Sequence, residues 1–291
     1  MRYGVTMFAT DVSIGAVELA RAVEERGLDS LWLPEHTHIP TTRRTPHPSG
    51  GELPEKYKRS LDPLVALAAA ATATSRLRLG TGVLLPAQRD PIVTAKAVAT
   101  LDHLSGGRAV LGVGFGWNED EMADHGVEYR RRRAVAREHV LAMQALWRDD
   151  EASFAGEHVR IPPSWSWPKP AQRDGSGRPA VPVVLGGGAG PRLFAQAAEY
   201  AAGWMPIGGA GLAAALPDLR AALEAAGRDP EGFEVIPYAA LPDHGKLDHY
   251  DALGVAETVF DLPSAPYDEV MPVLDRYAAL VAERAADPAR G

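Results

Sequence analysis

Cysteine is absent from the 291 residues. That removes a disulfide framework, a thiolate nucleophile and every zinc or iron–sulfur site that depends on sulfur ligands. Basic charge is also short, with 30 Lys and Arg against 38 Asp and Glu and a formal net charge of −8. A general nucleic-acid binder carries a basic surface, so that class is set aside. Long apolar runs are missing too. Residues 1–8 form an apolar stretch that ends before Asp11, too short for a signal-peptide core or a bilayer span. Residues 64–73 are mostly alanine and read as a buried helix. The expectation is a cytoplasmic protein with no membrane and no nucleic-acid partner. A chain this long buries about three-quarters of its unfolded surface and needs no covalent staples.

What is present is a regular alternation. Short strand-like runs fall at residues 3–8, 30–34, 77–84, 109–114, 181–186, 203–207, 233–239 and 258–261. Several lack period-two patterning, as strands covered on both faces do. Alanine-rich helical stretches follow at 13–26, 62–74, 90–104, 131–147, 191–201, 212–226 (interrupted near Pro217), 246–253 and 267–286. Ser13 is the expected cap of the first; Asp62-Pro63 and Asp90-Pro91 open the next two. Eight strand–helix pairs predict an α/β fold, a single (β/α)8 TIM barrel over 1–291. Insertions are expected after strand 2 (36–61) and after helix 4 (149–180). A doubly wound open sheet is the alternative.

Barrel chemistry sits at the carboxyl ends of the strands. The ends of strands three to six are rich in glycine. Residues 186–190, followed by Pro191, put bare N–H groups at a helix start, which suits an anion; Gly208-Gly209 could complete one phosphate site. A tight turn without a ligand accounts equally well for either cluster alone, and the adjacency of the two favours a binding role. Neither cluster is a nucleotide fingerprint: Trp117 and Pro191 stand where GxGxxG needs its third glycine, and no GxxxxGK[ST] occurs. Glu35-His36 ends strand two, where a carboxylate beside an imidazole can orient a ring and exchange a proton, or simply form a loop salt bridge. His36-Thr37-His38 raises a metal hydrolase, but strands five and six end without ligands, so no metal is expected. Arg130 to Arg133 read as a solvated face. Arg43, Arg44, Lys56, Lys58 and Arg59 could flank the mouth and attract an acidic ligand tail. Met7, Phe8, Trp117, Trp165 and Trp167 suggest an apolar substrate pocket, the last two on a lid.

With these residues in place, the chain resembles the bacterial luciferase-like monooxygenase superfamily, and most of all its deazaflavin (coenzyme F420)-dependent oxidoreductase branch. The resemblance rests on 32–36, Leu79-Gly80-Thr81-Gly82-Val83-Leu84 with Pro86, 101–108, Leu111-Gly112-Val113-Gly114-Phe115-Gly116-Trp117-Asn118, 186–192 and 198–204. It implies a flavin or deazaflavin at the carboxyl end of the barrel. Thr81, Gly82 and Val83 would form a bulge with a non-prolyl cis peptide under the ring, beside Gly116, Trp117 and Asn118. Gly186, Gly187, Gly188, Gly208 and Gly209 would hold the phosphate, with Glu35 and His36 as the acidic–His pair facing the ring. Sugar-phosphate dehydrogenases of this branch carry a catalytic Glu where Trp117 stands here, which speaks against that substrate. The implied activity is F420-dependent hydride transfer between cofactor C5 and a small organic substrate. Alternatives are an FMN-dependent monooxygenase using O2 and a barrel that binds cofactor without turnover. Related barrels often dimerise, which raises a homodimer, but the sequence leaves the oligomeric state open.

Overall fold

A computed structural model describes residues 1–286; the last five positions of the expected 1–291 domain lie outside the described residues. The fold is α/β, built on a curled parallel sheet. The strands are β1 (Arg2–Thr6), β2 (Ser30–Leu33), β3 (Arg78–Thr81), β4 (Ala109–Val113), β5 (Glu151–Ala155), β6 (Arg160–Trp165), β7 (Val183–Gly186), β8 (Gly203–Met205), β9 (Glu234–Val235), β10 (Tyr238–Ala240) and β11 (Glu257–Asp261). Apart from β5 and β6, they form one sheet in the order β10-β11-β1-β2-β3-β4-β7-β8-β9, with every pairing parallel. The two end strands are consecutive in the chain, so residues 233–239, expected as one strand, divide between them. Ile236 N–H donates to the Trp204 carbonyl, and the Pro237 carbonyl accepts from Val259 N–H. This stretch therefore bonds in both directions.

Alternation along the strands sorts the core. Trp32, Val110, Val184, Met205, Ile236 and Val259 form one buried cluster inside the curl. Leu31, Leu33, Leu111, Val113, Leu185 and Phe260 point the other way, into the larger core beneath the helices. Two strand glycines serve this packing. A Cβ on Gly80 would lie 2.2 Å from the Trp32 ring, and one on Gly112 would lie 1.9 Å from the Thr81 carbonyl oxygen. At the amino ends of the strands, Arg2 and Arg78 pair with Glu234 and with the fully buried Glu257. Ser30 Oγ and Trp32 Nε1 also donate to Glu257, at 2.5 and 2.9 Å. Two cations and two anions thus close that end without net charge.

The helices are α1 (Ala16–Glu25), α2 (Pro63–Ala73), α3 (Pro91–Ser105), α4 (Glu119–Asp124), α5 (Arg132–Arg148), α6 (Pro191–Tyr200), α7 (Leu212–Ala225), α8 (His244–Ala252) and α9 (Tyr267–Ala286). Asp62 and Asp90 cap α2 and α3 through Val65 N–H and Val93 N–H, at 3.0 and 2.8 Å. Ser13 does not cap α1. Its hydroxyl accepts from Thr10 N–H, and the helix starts later than expected, at Ala16 with Gly15 as its cap. Pro217 lies inside a continuous α7. Between α5 and β7 the strands β5 and β6 pair as an antiparallel hairpin that lies along α5. Among the described residues no helix is long and apolar enough to cross a membrane.

Candidate active site

A cavity of about 400 Å³ opens at the carboxyl ends of the strands. Its floor is the segment after β3, where the Gly82–Val83 peptide is cis and non-prolyl, as the resemblance implied for Thr81 to Val83. Thr81 lies beneath, its hydroxyl on the Gly112 carbonyl at 2.7 Å. Tyr238 donates its hydroxyl to the Gly82 carbonyl at 2.5 Å and also meets Thr6 Oγ1. A Cβ on Gly82 would sit 2.6 Å from that hydroxyl, so only glycine admits it. Burial pushes the Tyr238 phenol well above its ordinary range, which keeps it a donor.

His36 is buried in one wall. Its Nδ1 lies 2.7 Å from Glu121 Oε2, and Thr37 N–H donates to the other oxygen of the same carboxylate at 3.2 Å. An ionised carboxylate only accepts, so Nδ1 carries the proton and Nε2 is presented without a partner among the described residues. Glu121 is fully buried on α4, three residues after its Asn118 cap.

Glu35, expected beside His36 as an acidic–His pair facing the ring, turns its carboxylate the other way. It accepts from Leu85 N–H at 2.7 Å and from Arg89 Nε at 2.6 Å. Burial raises its pKa against the opposing pull of Arg89. Glu35 thus ties the segment after β3 to the end of β2, and the partner of His36 comes from α4 instead.

Aromatic rings crowd around the imidazole. Trp117 stands edge-on to it at 5.6 Å between centroids, Tyr57 at 5.2 Å and Phe8 at 6.4 Å. His47 packs on Tyr57 and Trp117. Burial, then Arg43, His36 and Lys56, hold its pKa below 6.5. Tyr57 and His47 come from the stretch between β2 and α2, which Asp120 anchors to α4 by accepting from Arg44 N–H and Thr45 N–H. Of the basic residues there, Lys56 lies over the Phe8 ring, Arg43 stands near His47, Lys58 and Arg59 pair with Glu55, and Arg44 is exposed.

Gly186, Gly187, Arg132 and Arg133 also line the cavity. Reading the arginine run as a solvated face fails for two members. Arg133 packs on the Phe115 ring at 4.1 Å and Arg132 on Tyr129 at 3.6 Å. Arg132 Nε and Arg133 Nη1 are buried with no partner among the described residues. Burial and then the neighbouring Arg192 and Arg132 charges lower the Arg133 pKa. Next to them α6 begins at Pro191 with no side-chain cap.

Other expected site residues fall elsewhere. Gly188 lies in the turn before α6, outside the cavity lining. The Gly208 N–H is given to the Tyr238 carbonyl at 2.7 Å, Gly209 packs under Tyr250, and neither glycine of this turn lines the cavity. Met7 is fully buried in the outer core, because strand alternation turns it away from the cavity that Thr6 and Phe8 face. Trp165 and Trp167 are 76% and 58% exposed at the far end of α5. That helix has 17 residues and spans about 25 Å, so the two rings form no lid. Gly116 does line the cavity beside Trp117, in a left-handed conformation against Met122, and Asn118 is buried. His38 pairs with Asp124, and among the described residues no group of three or more His, Asp or Glu is placed to hold a metal ion. The sequence reading missed Tyr57, His47, Tyr238 and the role of Glu121. The last had a signal: an Asn cap followed three residues later by Glu, the pattern of a helix start.

The curled parallel sheet thus carries, at its carboxyl end, a cavity with an imidazole, a floor that includes Gly82, and two arginine side chains that each keep one nitrogen without a partner among the described residues. The sequence model of luciferase-like monooxygenases matches residues 11–241, and the chain belongs to that family, a class of oxidoreductases and monooxygenases. An uncharacterized protein of Mycobacterium tuberculosis is 42% identical over 286 residues, covering 97% of this chain and 99% of that one. An F420-dependent glucose-6-phosphate dehydrogenase of Kineococcus radiotolerans is 34% identical over 72% of this chain and 58% of its own length. Among solved structures, the monooxygenase RslO1 from Streptomyces bottropensis superposes with a TM-score of 0.80 at 21% identity, covering 98% of this chain and 100% of that one. The coenzyme F420-dependent tetrahydromethanopterin reductase of Methanopyrus kandleri gives 0.60 at 22% identity, over 82% and 65%.

Proposed function

We propose that this chain is an F420-dependent oxidoreductase that moves a hydride between the deazaflavin C5 and a small organic substrate. The observation that carries it is the His36–Glu121 pair in a cavity that is also lined by Arg132 and Arg133, each with a nitrogen lacking a partner among the described residues. In this reading residues 234–240 count as one bent strand, the sheet is a closed (β/α)8 barrel, and 1–291 form a single cytoplasmic domain that assembles as a homodimer.

The residues present fit such a cofactor. Arg132 and Arg133 offer buried donors without acceptors, and the uncapped start of α6 after Gly186, Gly187 and Gly188 adds amides suited to an anionic phosphate. When bound, the deazaflavin supplies hydride chemistry, which no side chain of this protein can supply. The chain's own part is orientation and proton handling. Glu121 fixes the His36 tautomer, His36 Nε2 holds or accepts a proton at the cavity, and Phe8, Tyr57 and Trp117 exclude water around it. Tyr238 and Glu35 keep the floor after β3 in place.

Titration with F420 tests the reading: saturable quenching of its fluorescence is expected, and its absence removes the proposal. FMN run in parallel is the competing arm. Tighter binding of FMN, with O2 consumption on reduction, would make the chain a flavin monooxygenase. His36→Ala should bind F420 normally and lose turnover; unchanged turnover would leave only a cofactor-binding barrel.

A further inference from the structure

His47 stands against two of the rings that surround His36. It meets Tyr57 edge-on at 5.0 Å between centroids and Trp117 at 5.5 Å, and those two rings are themselves 6.1 Å apart. Tyr57 and Trp117 line the cavity, whereas His47 lies outside its lining. The seat of this imidazole fixes its proton. Ser49 N–H donates to Nδ1 at 3.4 Å, and the Ser49 hydroxyl lies 2.7 Å from the same atom. Nδ1 is therefore an acceptor, and the proton sits on Nε2, which is buried with no partner among the described residues. The charged and titratable groups around the ring are Arg43, Lys56 and Tyr57 on its own segment and His36 at the end of β2, whose Nδ1 is held by Glu121 of α4. The chain is pinned on both sides of it. Asp120 accepts from the Arg44 and Thr45 amides before it, and the His47 carbonyl accepts from Gly50 N–H at 2.8 Å after it.

We propose that His47 is a positioning residue for the reaction at His36: as a neutral ring it braces Tyr57 and Trp117 around that imidazole, and on taking up a proton it leaves its seat. This deepens the oxidoreductase reading and rests on it for the reaction served. A second proton would go to Nδ1, where it would face the Ser49 N–H, donor against donor. It would also place a third cation beside Arg43 and Lys56. Burial and the charges of Arg43, His36 and Lys56 already hold the His47 pKa below 6.5. A base depressed in its seat gives support that is complete above 6.5 and is lost as pH falls through the depressed value. The brace is thus set at neutral pH and released in acid, and the rings it releases are the ones that touch the His36 imidazole.

The test reads Trp117 by fluorine NMR on the full chain labelled with fluorotryptophan, its signal assigned through Trp117→Phe. In cofactor-free protein that signal should move with a midpoint below pH 6.5, and its isotope shift between light and heavy water should grow on the acid side as the ring gains solvent. His47→Phe keeps a ring that cannot be protonated and should hold the neutral-pH signal throughout. His47→Ala should show the acid-side signal already at neutral pH. A step that persists in His47→Phe belongs to His36 and overturns the assignment. So does a titration with no gain in isotope shift, or a His47→Ala signal identical to the parent's. In F420 quenching at neutral pH, His47→Ala should bind about fivefold more weakly, the worth of one edge-to-face ring contact, while His47→Phe matches the parent. Equal affinity of all three would overturn the positioning role. Failure of F420 to bind the parent would sink the oxidoreductase reading alone, because the fluorine measurement on cofactor-free protein stands without it.

Discussion

Glu121 has no route to the cavity except through His36. Replacing it with Gln keeps volume and removes the anion, so the imidazole loses the group that selects its tautomer and balances its charge when protonated. Turnover of Glu121→Gln should fall by about a hundredfold or more, the usual scale for general acid–base assistance. F420 affinity should hold, and the pH profile of the residual rate should shift. Glu35→Gln reads differently. It loosens the link from β2 to Leu85 and Arg89, and its effect should appear in cofactor affinity first. Tyr238→Phe removes a buried hydroxyl held by Gly82 and Thr6 and should cost about 1–3 kcal/mol in urea denaturation, since the Gly82 carbonyl then lacks its donor. Sequence alone pointed to His36, Gly82 and Gly186 because strand ends and glycine are visible as a pattern. Glu121 and Tyr238 escaped because what matters in each is a contact between segments 85 and 156 positions apart.

At the level of elements, the hairpin of β5 and β6 is pinned by one carboxylate. Glu138 on α5 accepts from the N–H groups of Glu157, His158 and Val159 at 2.7–3.0 Å. Burial raises its carboxyl pKa and these three donors outweigh that, leaving it below 4.5. Glu138→Ala should make those three amides exchange with deuterium at least about tenfold faster, while F420 titration is unchanged. Trp167→Ala should likewise leave cofactor binding as it was. The aromatic pair had looked like a lid because composition reports what a loop contains and says nothing of which end of the sheet it leaves from. Helix starts were legible for the opposite reason: Asp-Pro at α2 and α3 is a local code. The arginine run was misread where locality failed, since packing on Phe115 depends on how α5 meets the strand-four segment.

For the molecule as a whole, the closed amino end ties stability to acid. Burial raises the Glu234 pKa, but Arg78 and Arg2 outweigh it and hold the carboxyl below its ordinary 4.5. A carboxyl depressed on folding adds stability that is complete above 4.5 and is lost as pH falls through its folded value. Unfolding free energy measured by denaturant should therefore decline as pH drops below 4.5, and Glu234→Gln should flatten that decline while lowering the plateau. The alternation of strands and helices revealed the architecture early, because burial on both faces writes itself into composition. The ion cluster at Arg2, Arg78, Glu234 and Glu257 did not show, since four charges far apart in sequence carry no common spacing.

That cluster has a kinetic consequence. With those four charges paired across the amino end of the sheet, the cavity opens at the carboxyl end, and a ligand is taken up and released on that side.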